Sequence, residues 1–134
     1  MTFSNRNQGL NVVIADDDAT TRMALRLLLQ EQLHIVAGEA ADGERAIELC
    51  SAHKPHIVFL DIDMPKLSGN EAARRIRELH PNIGVVMISG VATMENVREA
   101  MQIGAASFVV KPFSAAKVVD AVNNCLKKFG KAAH

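Results

Sequence analysis

Four apolar runs of this chain end in residues that can do chemistry. Asn11-Val12-Val13-Ile14-Ala15 leads into Asp16-Asp17-Asp18, and Ile57-Val58-Phe59-Leu60 into Asp61. Val85-Val86-Met87-Ile88 leads into Ser89, and Phe108-Val109-Val110 into Lys111-Pro112. Carboxylates gathered away from water repel, which raises the pKa of at least one unless a cation intervenes. Magnesium suits such a set, because it takes hard oxygen ligands from one or two carboxylates and keeps waters that phosphate oxygens replace. An aspartyl carboxylate can accept a phosphoryl group covalently. A metal beside an ammonium group stabilises the charge that moves in the transfer. The chemistry these endings suit is therefore divalent-metal binding and a phosphoryl group carried on a carboxylate.

Each residue also has a plainer reading. Asp is a common helix N-cap, and one of Asp16 to Asp18 serves that purpose, but three in a row exceed what capping needs. Asp61, between a buried run and Met64-Pro65, has no such excuse. Lys111 could be a surface lysine before a proline, yet it directly follows a buried run and supplies a compact positive charge. Ser89 alone would be an ordinary turn serine, and its place in the set is what gives it a role. An EF-hand needs ligands at alternate positions of one loop, and the acids here are not so spaced.

For the four endings to meet, the runs must be parallel strands whose carboxyl ends share one edge of a sheet. Strands are expected at 11–15, 34–38, 57–60, 84–88 and 107–110, separated by helical periodicity at 19–33, 43–53, 69–79, 93–103 and 115–129. That alternation implies βαβ units. The runs are continuous rather than alternating, as in strands covered on both faces. Inward stripes are read at Met23, Ala24, Leu27, Leu28 and Leu33, then Ala46, Ile47 and Cys50. The third stripe is Ala72, Ala73, Ile76 and Leu79, and the fourth is Met94, Val97 and Met101, read as core rather than interface. The last is Val118, Val119, Val122, Cys125, Leu126 and Phe129. Asp18 is the expected cap of the first helix and Gly104 the stop of the fourth.

The chain has 134 residues, room for one domain with a real core. It is divided here into an N-terminal extension at 1–9, a domain at 10–129 and a tail at 130–134. Fifteen basic and fifteen acidic residues cancel. No global field or basic stripe draws the protein to nucleic acid or anionic membrane. Lys127, Lys128 and Lys131 suit the carbonyl end of a last helix. Cys50 and Cys125 lie on apolar stripes without metal or redox spacing and read as reduced core residues. No apolar run approaches the roughly 18–20 residues of a membrane span, and the first nine residues lack a signal-peptide core. A cytoplasmic location is expected.

The motifs VVIADDD, FLDIDMP, MISG and FVVKPF, in that order and spacing, resemble the receiver domains of two-component response regulators from about Asn11 to Phe129. A narrower likeness is to stand-alone receivers of the chemotaxis type. The resemblance implies a doubly wound five-stranded parallel sheet of order 2-1-3-4-5, flavodoxin-like and three-layered; the residues alone leave the order open. It implies Asp61 as phosphoacceptor, with Asp17 a direct metal ligand, Asp16 acting through water, and Asp61 and the Asp63 backbone carbonyl completing the protein ligands to Mg2+ or its substitute Mn2+. Ser89 and Lys111 take the family's hydroxyl and lysine positions, Lys111 before a cis-proline bond. Phe108 takes the aromatic switch position.

The same likeness implies partners: a histidine kinase or phosphotransfer protein as donor, and a downstream protein target. The family's contact surface lies on the fourth helix, fifth strand and fifth helix, where Thr93, Glu95, Arg98, Phe108 and Lys117 are the contact candidates. The implied state is a monomer or a phosphorylation-dependent dimer. Asp18, Asp63 and Val91 fall where the family tunes phosphoryl lifetime, and Asp63 could either orient or repel an attacking water. Two rivals have less support. Asp61-Ile62-Asp63 fits the DxD of haloacid-dehalogenase-like phosphatases, but their further acidic pair after the lysine is reduced here to Asp120. A flavodoxin-like cofactor binder would place a Gly/Ser/Thr-rich phosphate loop where this chain has carboxylates.

Overall fold

Short apolar segments rich in Val and Ile form five strands, and each strand but the last is followed by a helix that returns the chain to the same sheet edge; a fifth helix closes the order. The computed structural model describes residues 9–129. The remainder of the expected extension, the tail at 130–134 with Lys131, and the side chain of Phe129 lie outside the described residues. The elements are β1 (Asn11–Ala15), α1 (Ala19–Glu31), β2 (Ile35–Ala40), α2 (Gly43–His53) and β3 (Ile57–Asp61), followed by α3 (Gly69–Leu79), β4 (Gly84–Ser89), α4 (Met94–Ile103), β5 (Ser107–Val110) and α5 (Ala115–Phe129). All pairings are parallel and the order is β2-β1-β3-β4-β5.

Alternate residues of the continuous apolar strands enter two separate cores. Val13, Ala15, Val58, Leu60, Val85 and Met87 pack with Ala46, Leu49 and Cys50 of α2, Ala72, Ala73 and Ile76 of α3, and Ala100 of α4. Val12, Ile14, Ile57, Phe59, Val86 and Ile88 pack with Leu25 and Leu29 of α1 and with Val118, Ala121, Val122 and Cys125 of α5. Both faces are therefore dry, which is the reason the strands carry no polar alternation. Both cysteines are free and buried, one in each core, and burial pushes each thiol up to about 12.

Several expected faces need correction. In α1 the buried residues are Leu25 and Leu29, whereas Met23 and Leu27 are more than half exposed. That helix carries apolar residues at 23, 24, 25, 27, 28 and 29, so two overlapping stripes exist and only the approach of β1, β2 and α5 selects one. The helix also ends at Glu31, short of the expected 33, because Leu33 takes a left-handed φ of 67° that breaks helical geometry. β2 accordingly starts at Ile35 and runs on to Ala40, with a bulge against Val12 and Val13 of β1. In α4 the core residue is Ala100; Met94 is 77% exposed and Met101 47%. Leu79 and Val119 also face outward, and Leu49 rather than Ile47 is the deep contact of α2.

Candidate functional site

The carboxyl ends of β1, β3, β4 and β5 meet at one edge, as the positions of their terminal residues require. Asp16 follows β1 and is fully buried, and Asp61 ends β3 at 5% exposure. Asp17 is exposed beside them. One carboxylate oxygen from each of Asp16, Asp17 and Asp61 can be chosen so that all lie within 4.8 Å of one another. Lys111, just past β5, reaches across the edge: its Nζ is 2.7 Å from Asp16 Oδ2 and 3.3 Å from Asp61 Oδ1.

Backbone geometry holds these groups. The Asp16 amide donates to Ala40 O at 3.0 Å, continuing the β1–β2 ladder one residue past the strand. Asp16 Oδ1 accepts the Asp18 amide at 2.8 Å, which folds the acidic turn over itself. Asp18 is the α1 cap, accepting from the Thr20 amide and the Thr21 hydroxyl, and these bonds hold its carboxyl below the usual range. The third acid thus has a structural task as the helix cap, which Asp16 and Asp17 do not share. Lys111 N donates to Ser89 O at 2.8 Å across β4 and β5, before a cis Lys111–Pro112 bond. Behind Asp61, Gly69 comes so close that an added Cβ would overlap the Asp61 carbonyl, while its amide donates to Ile62 O at 2.8 Å. Any larger residue at 69 would push α3 away from the site. A Gly just after a loop's Ser N-cap was the available signal for this close approach.

Charge in the site is unbalanced. Three carboxylates face one ion-paired ammonium among the described residues. Burial, and then the Asp16 charge, push Asp61 up to about 6, against the opposing pull of Lys111. Burial alone would lower the Lys111 pKa, but its contacts with Asp16 and Asp61 outweigh this and raise it. Among the described residues, Asp16 Oδ2 is buried without a well-aligned hydrogen-bond donor, and its charge is met by the Lys111 ion pair. A small divalent cation fits this hard-oxygen, anion-rich pocket.

The remaining expected residues are more dispersed. Ser89 is buried at the end of β4, and its hydroxyl bonds to Val91: Oγ donates to Val91 O and accepts from Val91 N, both at 3.1 Å. Phe108 is half-buried against the core on the α2–α4 side. Asp63 is exposed in the β3–α3 loop. Thr93 caps α4 by accepting from Asn96 N at 3.0 Å, and Glu95 and Arg98 are exposed on that helix. Lys117 is exposed, and its Nζ donates to Val110 O at 3.2 Å and Pro112 O at 3.3 Å, pinning the β5–α5 loop. Asp120, the acid a phosphatase reading would recruit, lies exposed on α5 and is no part of the cluster.

Residues 12–123 match the family model of the response regulator receiver domain. The chain is 39% identical over 119 residues to the chemotaxis protein CheY of Thermotoga maritima, covering 89% of this chain and 99% of that protein. It is 35% identical over 115 residues to the chemotaxis protein CheY of Bacillus subtilis, covering 86% and 96%. Among solved structures, the CheX–CheY–BeF3–Mg2+ complex of Borrelia burgdorferi superposes with a TM-score of 0.83 at 34% identity, covering 91% of this chain and 90% of that one. With this match over most of its length, the strand order 2-1-3-4-5 and an acidic pocket at the carboxyl edge of the sheet, the chain belongs to the response regulator receiver domains of two-component systems.

Proposed function

We propose that the protein is a phosphorylation-dependent switch that accepts a phosphoryl group on Asp61 from a partner's phosphohistidine. The observation that carries this reading is the Lys111 ammonium ion-paired to both Asp16 and Asp61 inside a three-carboxylate cluster. Asp16, Asp17, Asp61 and the Asp63 backbone carbonyl would hold Mg2+, or Mn2+ in its place. When bound, the metal neutralises the cluster and draws charge from the transferring phosphoryl oxygens. An Asp61 carboxylate oxygen attacks phosphorus as the P–N bond to the donor imidazole breaks, and the electron pair leaves with the imidazole. Lys111 pairs with a phosphoryl oxygen of the product. Water later attacks the acyl phosphate, releasing inorganic phosphate and restoring the carboxylate, so the protein catalyses only its own modification.

Ser89 is the sensor. Its hydroxyl now bonds to the Val91 backbone, and donation to a phosphoryl oxygen requires it to leave that turn. The vacated space lets the half-buried Phe108 ring turn inward and changes the surface of α4, β5 and α5. Thr93, Glu95, Arg98, Phe108 and Lys117 would present that change to a downstream protein, with exposed Met94 and Met101 supplying apolar contact. No helix among the described residues is long and apolar enough to cross a membrane, and the donor and target are proteins rather than nucleic acid.

Intact mass after incubation with acetyl phosphate and Mg2+ tests the reading. Wild type should gain one labile phosphoryl group that is lost on chelation, and Asp61→Asn should gain none. Equal magnesium-dependent modification of the mutant would refute the assignment, and continuous phosphate release would favour a phosphatase.

A further inference from the structure

The acidic turn between β1 and α1 is held from outside the metal-ligating set. Arg22, in the second turn of α1, donates from Nη1 to the Asp16 backbone carbonyl at 2.6 Å. Its Nε meets Glu39 Oε1 of β2 at 3.2 Å, and Arg26 Nη1 meets Glu39 Oε2 at 2.5 Å. Glu39 thus spans two guanidinium groups one helical turn apart, and none of the three side chains is more than 34% exposed.

The Asp16 carbonyl belongs to the peptide that joins Asp16 to Asp17. Because a peptide is planar, fixing its carbonyl also fixes the direction of the Asp17 amide and the placement of the Asp17 Cα. The other side of Asp16 is already tied by its amide to Ala40 O. With both backbone groups held, the buried Asp16 and exposed Asp17 carboxylates leave a single, defined turn. We infer that Arg22 is a positioning residue for the acidic site, aiming the Asp16–Asp17 peptide so that its carboxylates converge on a divalent cation. This inference rests on the Mg2+ reading above. A guanidinium suits the task because its planar fork can bond a carbonyl and a carboxylate at once, which an ammonium on a flexible stem does less well. Partners behind metal ligands typically change affinity by about 10–100-fold when removed.

A merely structural Arg22 would brace α1 against β2 and nothing more, and Arg26 makes the same brace without touching Asp16. The test uses the full chain with Mg2+ alone as probe, following amide NMR shifts in a titration from chelator for wild type, Arg22→Met, Arg22→Lys and Arg26→Met. Thermal midpoints are recorded in chelator. Arg22→Met should weaken Mg2+ about tenfold and shift the Asp17 amide before any metal is added. Arg22→Lys should recover part of the affinity. Arg26→Met should lower the midpoint comparably yet bind Mg2+ as wild type does. Wild-type affinity in Arg22→Met, or an equal loss in Arg26→Met, would overturn the positioning role. If wild type itself shows no Mg2+-dependent shift at Asp16, Asp17 and Asp61, the metal reading falls and takes this inference with it.

Discussion

The two ends of the sheet treat buried polar groups in opposite ways. At the amino end, His34 is 4% exposed and its Nδ1 accepts the Leu10 amide at 3.3 Å, while His56 Nδ1 accepts the Asn11 amide at 3.0 Å. The start of β1 is held between two imidazoles, one preceding β2 and one preceding β3, each in the tautomer that leaves Nδ1 free to accept. At the carboxyl end, Asp16 and Asp61 are buried like charges sharing one lysine. An imidazole that satisfies the amide of a neighbouring strand serves the fold. A carboxylate crowded by its like costs stability, and here the cost falls at the site proposed to hold a cation and a phosphoryl group.

The contrast can be broken first at Lys111. Lys111→Met leaves Asp16 and Asp61 facing each other without their ammonium, and should cost about 3–5 kcal/mol in chelator at pH 8 by urea unfolding. Mg2+ should restore more stability to this variant than to wild type, because the pocket is then more negative. A variant as stable as wild type in chelator would show that the ion pairs at 2.7 and 3.3 Å do not hold the edge together.

The next effect has the opposite sign. The Asp61 carboxyl is raised from 3.8 to about 6 in the folded chain, so the folded state holds this proton more tightly than the unfolded state. Its contribution is therefore lost as pH rises from about 4 to 6, reaching a penalty of about 3 kcal/mol above that window. Asp61→Asn should recover up to that amount in chelator at pH 7.5 and little at pH 4. A mutant less stable than wild type at both values would remove the repulsion argument.

At the other end, His34→Ala removes an acceptor from a buried amide and should cost about 1–3 kcal/mol, independent of Mg2+. Any magnesium dependence in that loss would mean the two ends are coupled. The smallest effect belongs to the surface. Arg74 and Glu99 pair at 2.7 Å between α3 and α4 with both side chains at least 40% exposed. Glu99→Ala should change unfolding free energy by less than about 1 kcal/mol.

Much of this architecture is legible in the sequence, and the parts that are not share one cause. The four strand endings and the helix spans were readable because strand and helix periods are local properties of a few consecutive residues. In α1 and α4 helical periodicity does not single out the buried face, because each has more apolar positions than one face can bury. Met23 and Leu27, or Met94 and Met101, satisfy helical spacing as well as Leu25, Leu29 and Ala100 do. The choice depends on which neighbour lies where, and helical periodicity carries no information about that. The roles of Arg22 and Gly69 escape periodicity for a related reason, since a bond to a carbonyl six residues back and a close approach to Asp61 have no periodic signature.

The sequence by itself determined that acids, a hydroxyl and an ammonium would close parallel strands buried on both faces, because dry strands need continuous apolar runs and their polar residues must fall at the ends. Only the tertiary structure decided that Lys111 spans Asp16 and Asp61, that Asp18 is spent on capping, and that Ser89 is bonded to its own turn. Those outcomes turn on ångström-scale distances between strands far apart in the chain, and packing sets such distances after the local patterns have formed.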